Sequence, residues 1–579
     1  MKRIITENGK SSYHIVTSRT PQGAEMYAAS VLYEYLYKAT NAIVPYYSDI
    51  EERRSPEIHV GIQVRGRTPD LSGLSDDGFL IKTVDSDIVI AGKTPRGTVY
   101  GVYAFLEKYI GFGCFTKDVE VYSRVDTLVV EDISIRENPT FEYREVYFRG
   151  AFDPDFCVKN RLNSNIAHIP EEKGGKLKFY NFHHSFQDLV PPDIYFPEHP
   201  EYFSEIDGIR TGDNSQLCLS NEAVFEITKE NLRKWIRNNP SCRVFSASQN
   251  DNARYCQCTE CQKTDEKYGS PAGSILKFVN RLAEDIRQEY PDVLLHTFAY
   301  WYSRKAPEGI IAQDNVIVRL CNAECSWDRG LEEQAECSSD ETAAAFLDNL
   351  KKWGSISKHL YIWDYACNFR NYLMPFPNYR SLPLNLQTYH KAGAAGILEQ
   401  GNFSYGNLSA LADLESYLCA RLMWDPYQDA EKLIDDFLKA VYGTECHPYI
   451  REYVNFLLDS SIGKPLKIYQ NTDADYLTDT LLDKAEMLFE KALAVCENEK
   501  QKWYLEKEFL SVRFMKISRM ELTDTNRNEQ IDALYRDIKR FEITEIRERD
   551  NLEVSFQNLR SSRYGEGTEN QYRLYYIMK

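Results

Sequence analysis

Apolar positions recur at helical spacing over residues 25–37 (EMYAASVLYEYLY) and again over 97–107. Short β-rich runs lie between them at 58–61, 79–81 and 88–92. Helix, strands and helix on one sheet predict a small α+β domain over residues 1–135. It holds few convergent polar groups, so a supporting role is expected of it.

From about residue 140 the pattern changes. Eight apolar, β-branched or aromatic runs follow, at 143–149, 165–169, 181–185, 244–248, 294–300, 316–321, 360–364 and 395–399. Helical stretches separate the later ones, at 222–237, 274–288 and 342–353. Eight strands with helical connections predict an α/β fold, a (β/α)8 TIM barrel over 136–425. Amphipathic helices alone follow, at 429–442, 447–458, 476–496 and 500–516. They predict a helical C-terminal domain over 426–579.

Composition narrows the function. A net charge of −18 argues against a dedicated nucleic-acid binder, which needs a basic footprint. Aromatics reach 13%, and their faces suit sugar rings as well as core packing. No apolar run approaches the ~20 residues that span a bilayer. The basic start, Met1 to Glu7, lacks an apolar stretch behind it. That predicts a cytoplasmic protein, or a periplasmic or secreted one if a signal was removed. Most of the 14 cysteines sit singly in apolar runs and read as reduced thiols. No P-loop, dinucleotide or zincin motif is present, so no cofactor is expected.

Barrel enzymes carry their chemistry at the C-terminal ends of the strands. There the sequence puts His183 and His184, Asn250 and Asp251, Tyr300 and Trp301, Asn322 and Glu324, Trp363, Asp364 and Tyr365, and Glu399. Carboxyl groups, amides and aromatic platforms are what glycoside hydrolysis uses. Asp251 follows an apolar strand whose burial would raise a carboxyl pKa, so it reads as the general acid. Asp364 and Glu399 read as base, nucleophile or orienting group. Asn250 reads as a partner for a substrate amide or hydroxyl. The histidines, Tyr300, Trp301, Asn322, Glu324, Trp363 and Tyr365 read as substrate contacts. Cys256, Cys258 and Cys261 have a spacing that can hold zinc. The fourth ligand would have to arrive through the fold, as His183, Cys218 or Cys325. Buried thiols or a disulfide are the main expectation there, and a catalytic metal is not expected.

The run 246–261 (SASQNDNARYCQCTEC) is similar to the signature of the family described as domain of unknown function 4838. So are HPEYF at 199–203, QLCLS at 216–220, FVNR at 278–281, WDY at 363–365 and EQG at 399–401. GTVYGVY at 97–103 resembles the small domain that precedes barrels in β-hexosaminidases and α-glucuronidases. The resemblance implies a (β/α)8 glycoside hydrolase acting on an oligosaccharide or a glycoprotein glycan. Some relatives are classed as endo-β-N-acetylglucosaminidases of glycoside hydrolase family 163, and others are described as α-glucuronidase-like. The first class implies a retaining mechanism assisted by the substrate's acetamido group, with Asn250 beside the acid. The second implies inversion, with Asp364 or Glu399 as base and Arg149, Arg161 or Arg319 for a uronate. A glycan-binding barrel without catalysis is the non-enzymatic alternative.

Overall fold

The computed structural model describes residues 2–337 and 341–563. Near the N-terminus lies a six-stranded sheet. Its order is Ser134–Glu137, Phe79–Val84, Asp87–Gly92, Glu57–Val60, His14–Thr17, Tyr46–Ser48. The helices Gly23–Thr40 and Pro95–Ile110 pack on each other, and the second lies against the Asp87–Gly92 strand. Thr94 caps the second helix, accepting the N–H of Gly97, with Pro95 at its first turn. A Cβ on Gly92 would fall 2.2 Å from the Gly97 carbonyl carbon, so glycine lets helix and strand approach this closely.

The second sheet is parallel and has seven strands. They are β1 (Tyr143–Tyr147), β2 (Phe179–Tyr180), β3 (Val244–Ser246), β4 (Leu294–Ala299), β5 (Val316–Cys321), β6 (His359–Tyr365) and β7 (Ala394–Gln400). The order is β1-β7-β6-β5-β4-β3-β2. It curls into a half-barrel, bringing the ring of Tyr143 on one edge strand to 5.1 Å from that of Phe179 on the other. Val244, Ile317, Tyr361 and Leu398 complete that inner cluster.

The runs 165–169 and 181–185 form no strand, which corrects two of the eight expected: the edge strand lies at Phe179–Tyr180, just before the second run. Asparagine side chains take the place of a ladder at the first run. Asn163 accepts the Arg144 N–H at 3.0 Å and donates to the Glu142 carbonyl at 2.7 Å, both on the β1 side. Asn165 accepts the Phe179 N–H of β2 at 3.0 Å and donates its own N–H to Glu145 of β1. Short amides satisfy the edge groups while competing with a regular strand.

Beyond β7 every regular element among the described residues is a helix, from Ala412–Trp424 to Leu552–Ser561. Buried ion pairs join the N-terminal sheet to this assembly. Asp77 pairs with Arg96 and with Arg144 of β1, each at 2.5 Å. Glu107 takes both Arg161 and Arg421. Arg161 is therefore committed away from the strand ends, and its expected part in uronate binding is corrected.

Candidate active site

Strand alternation decides which side chains reach the mouth of the half-barrel. In β6, Tyr361 belongs to the inner cluster and Trp363 packs against it, while Leu360 and Ile362 belong to the layer under the helices. Asp364 follows the second phase. It accepts from Tyr389 Oη (2.5 Å), Trp327 Nε1 (3.0 Å), Asn322 Nδ2 (3.2 Å) and the Tyr365 N–H (2.9 Å). Tyr389 lies on the Ser381–Lys391 helix. In β7, Leu398 faces inward and Ile397 outward, so Glu399 also lies in the helix layer. It faces Glu415 of the Ala412–Trp424 helix, and its Oε1 has no hydrogen-bond partner.

These three carboxyl groups are buried, and burial dominates their titration. Asp364 is pushed up to about 6 by burial, against its four hydrogen bonds. Burial, then the charges of Asp364 and Glu415, hold Glu399 well above the usual range. Glu415 is raised by burial likewise. Asp364 and Glu399, expected to act on substrate, stand behind the sheet instead. Asn322, also expected at the substrate, is fully buried and bonds Asp364 and Tyr389.

The mouth itself holds a different set. Asp251 lies five residues past β3 with its side chain 40% exposed, so the burial expected to raise its pKa is absent. His184 Nε2 stands 3.8 Å from its Oδ1. His184 Nδ1 lies 2.6 Å from the Gln249 carbonyl, which assigns the proton to Nδ1 and turns the Nε2 lone pair toward Asp251. His183 is pushed down to about 4, chiefly by desolvation on its protein side and then by the charges of His184 and Arg319. It is neutral near pH 7. Tyr300 and Trp301 stack at 5.0 Å and are half-buried, as are Trp363 and Tyr365. Trp363 donates to Gln400 Oε1 at 2.8 Å. Glu324 pairs with Arg304 at 2.5 Å.

Asn250 does not project to a substrate. Its carbonyl and N–H bond the Gln216 amide at 2.8 Å each. Its side chain bonds the Ser215 carbonyl at 2.8 Å and the Gln187 N–H at 3.1 Å. Gln216 also takes the Asn252 carbonyl at 2.8 Å, so this one amide sets the shape of the Asp251 loop.

Glu548 was not singled out from the sequence. It lies in an irregular stretch between the helices Arg527–Arg540 and Leu552–Ser561, tied by its N–H to the Phe369 carbonyl at 3.0 Å. Its carboxyl is raised, first by burial; Arg549 opposes the rise and the charge of Asp251 adds to it. The break in helical pattern at Glu545 to Asn551, with five charged residues in it, was the available signal.

Below the mouth, Arg319 is fully buried, and none of its guanidinium nitrogens has a hydrogen-bond partner. Rings of Phe182, Phe179, Tyr143 and Trp363 surround it at 4.8–5.7 Å. Arg149 packs on Tyr405 and Phe152 beside a cavity of about 390 Å³, which also has Trp503 and Lys507 in its wall. That cavity lies at the flank of the mouth, away from Asp251. Cys256, Cys258 and Cys261 sit under the Asp251 loop, and Cys218 joins them. No pair is bridged, which removes the disulfide expectation. Cys325 is buried near Asp364 and is no part of this group.

Residues 114–455 match the family described as Domain of unknown function (DUF4838). No curated protein matches the sequence. Among solved structures, a family GH115 4-O-methyl-α-glucuronidase with specificity for decorated arabinogalactans is similar in fold, with a TM-score of 0.57 at 11% identity. The match covers 93% of this chain and 76% of that one. A GH138 enzyme targeting pectin rhamnogalacturonan II aligns over 91% of this chain and 92% of its own, at 10% identity and a TM-score of 0.42. CpGH84B aligns over 96% and 97%, at 12% identity and the same TM-score of 0.42.

Proposed function

The chain belongs to the DUF4838 family, and we propose that it is a glycoside hydrolase acting on a glycan. The observation that carries the reading is the carboxyl set at the mouth: Asp251 and Glu324 in the loops after two strands and Glu548 from the C-terminal helical part, between half-buried aromatic rings. Asp251 is the general acid. Glu548 is raised by burial and further by the charge of Asp251, which puts the two carboxyl groups in each other's field. Glu324, positioned by its ion pair with Arg304, serves as base toward water. Tyr300, Trp301, Trp363 and Tyr365 stack on sugar rings, and neutral His183 bonds hydroxyls.

Hydrolysis by two protein carboxyl groups, with inversion, is favoured over the acetamido-assisted route, because Asn250 is committed to the loop. A uronic acid in the glycan is the substrate proposed for this inverting route; Arg319, enclosed by rings beneath the mouth, is not assigned as its contact. A β-N-acetylglucosaminide is the competing substrate. The proposed frame is a (β/α)8-type barrel over 136–425, flanked by domains at 1–135 and 426–579.

The test is a panel of aryl α-glucuronides, aryl β-N-acetylglucosaminides, uronate-bearing polysaccharides and N-glycoproteins. NMR reads the anomer first released. Release of the inverted sugar, abolished in Asp251→Asn, is expected. A retained anomer from an N-acetylglucosaminide would replace this mechanism with the acetamido-assisted one. Tight binding without turnover would replace it with the glycan-binding barrel.

A further inference from the structure

Four cysteine sulfurs converge under the Asp251 loop, from two separate segments. Cys218 comes from the stretch after the Glu205–Arg210 hairpin, and Cys256, Cys258 and Cys261 come from the stretch after Asp251. We propose that these four thiolates bind one zinc ion in a closed tetrahedral site that holds the Asp251 loop in place.

The spacing fits the ion. All four sulfurs lie within 4.8 Å of one another. Cys218 is 3.7 Å from Cys258 and 3.9 Å from Cys261. Zinc bound to four thiolates at about 2.3 Å puts its sulfurs about 3.8 Å apart, the edge of the tetrahedron. A disulfide needs about 2.05 Å, and an iron–sulfur cluster spreads its cysteines well beyond these separations. An all-thiolate donor set selects zinc over harder cations.

The surroundings fit it too. The side chains are buried, with exposures of 3–7%. The Glu205 N–H points at Cys256 Sγ from 3.4 Å, and Arg210 Nη1 from 3.6 Å. Ser220 Oγ is 3.3 Å from Cys261 and 3.4 Å from Cys218. Four thiolates around Zn²⁺ leave a net charge of −2, and Arg210 with these donors offsets it. Four protein ligands fill the shell, so the ion does no chemistry on substrate.

The mechanical link runs through Gln216, two residues before Cys218. Zinc would clamp the segment of Gln216 to the segment of Cys256, and Gln216 grips the backbone on both sides of Asp251. This link to catalysis rests on the assignment of Asp251 above; the metal site does not.

The test uses the full chain purified under reducing conditions. Metal content by mass spectrometry should give about one zinc per chain, and a mercurial that blocks thiols should release it stoichiometrically to a colorimetric chelator. Cys218→Ser should lose most of the zinc, and Cys496→Ser, outside the cluster, should keep it. Limited proteolysis should then cut between 204 and 258 faster in Cys218→Ser than in Cys496→Ser. If Cys218→Ser does not fold, the mercurial titration of the native chain carries the test alone. Less than about a tenth of a zinc per chain after refolding with zinc, with the four thiols reacting at once with a disulfide reagent, overturns the site. Iron in its place overturns the choice of ion. Zinc present with unchanged proteolysis on its removal overturns the clamp. None of these readouts depends on hydrolysis, so each stands if the glycosidase reading fails.

Discussion

Two sets of acidic side chains sit near the C-terminal ends of the same parallel strands, and they differ in almost every physical respect. Asp364, Glu399 and Glu415 lie behind the sheet, 1–3% exposed, against helices. Asp251, Glu324 and Glu548 lie in front of it, open to solvent or half-open. Every member of the first set has the raised pKa usually taken to mark a catalytic carboxyl, and in the second set Glu548 is raised as well. The second has access to a substrate. Burial alone raises a pKa wherever a carboxyl is desolvated, so a perturbed value locates chemistry only when a ligand can reach the group.

The comparison is sharpest at Asp251. Asp251→Asn is expected to lower turnover on a natural glycoside by about 10²–10⁴-fold, the typical worth of general acid catalysis. An aryl glycoside with a good leaving group should lose far less. Because the side chain is exposed, stability should move by less than about 0.5 kcal/mol in a melting experiment. Normal turnover on the natural glycoside would erase the distinction between the two sets.

Glu548→Gln should have the next largest effect, roughly tenfold on kcat/KM. Because the charge of Asp251 adds to the burial that raises Glu548, Asp251→Asn should lower the pH at which Glu548 titrates by NMR. An unmoved Glu548 titration would detach Glu548 from the mouth.

The buried set should respond in stability and barely in rate. Asp364→Asn removes an acceptor from Tyr389 and should cost about 1–3 kcal/mol. Its turnover per folded molecule should stay within about twofold of the parent. Glu399→Gln should be nearly silent at acid pH, because glutamine mimics the protonated acid. Its signature is in the pH dependence. A carboxyl whose folded pKa is raised binds more protons in the folded state than in the unfolded one. Stability is therefore full below the unfolded value, near 4.5, and falls as pH rises toward the folded pKa. The fall is about 1.4 kcal/mol per pH unit for each such group. Melting curves from pH 5 to 8 should be flatter for Glu399→Gln than for the parent. A tenfold loss of turnover in this variant would put Glu399 back among the catalytic groups.

Much of the frame was legible. Both N-terminal helices, six of the eight strand runs and the helical C-terminal stretch lie where the apolar periodicity puts them, and the edge strand Phe179–Tyr180 falls just before the run expected at 181–185. What the sequence hid was phase. A parallel strand is covered on both faces, so His359–Tyr365 reads as an unbroken apolar run, with Leu360 and Ile362 on one side and Tyr361 and Trp363 on the other. Position at the strand end was visible, and the side on which Asp364 emerges was not. The run 165–169 failed for a local reason. Ile166 and Ile169 resemble a strand, but Asn163, Ser164 and Asn165 spend their polar groups on β1 and β2. The aromatic residues and the histidines could be placed after strand runs from the sequence, and the structure has Tyr300, Trp301, Trp363 and Tyr365 half-buried there. Glu548 was missed because it belongs to a stretch outside the resemblance.

The path of that stretch has a consequence for synthesis. The segment from Glu542 to Glu548 bonds the loops after β6 and β7, through Asn407, Tyr372 and Phe369. Translation delivers it half a chain length after Asp251. A ribosome-bound chain that has already exposed the acid loop still lacks the carboxyl that faces it. On the function proposed above, turnover would wait until the segment 542–548 has emerged and docked on those loops.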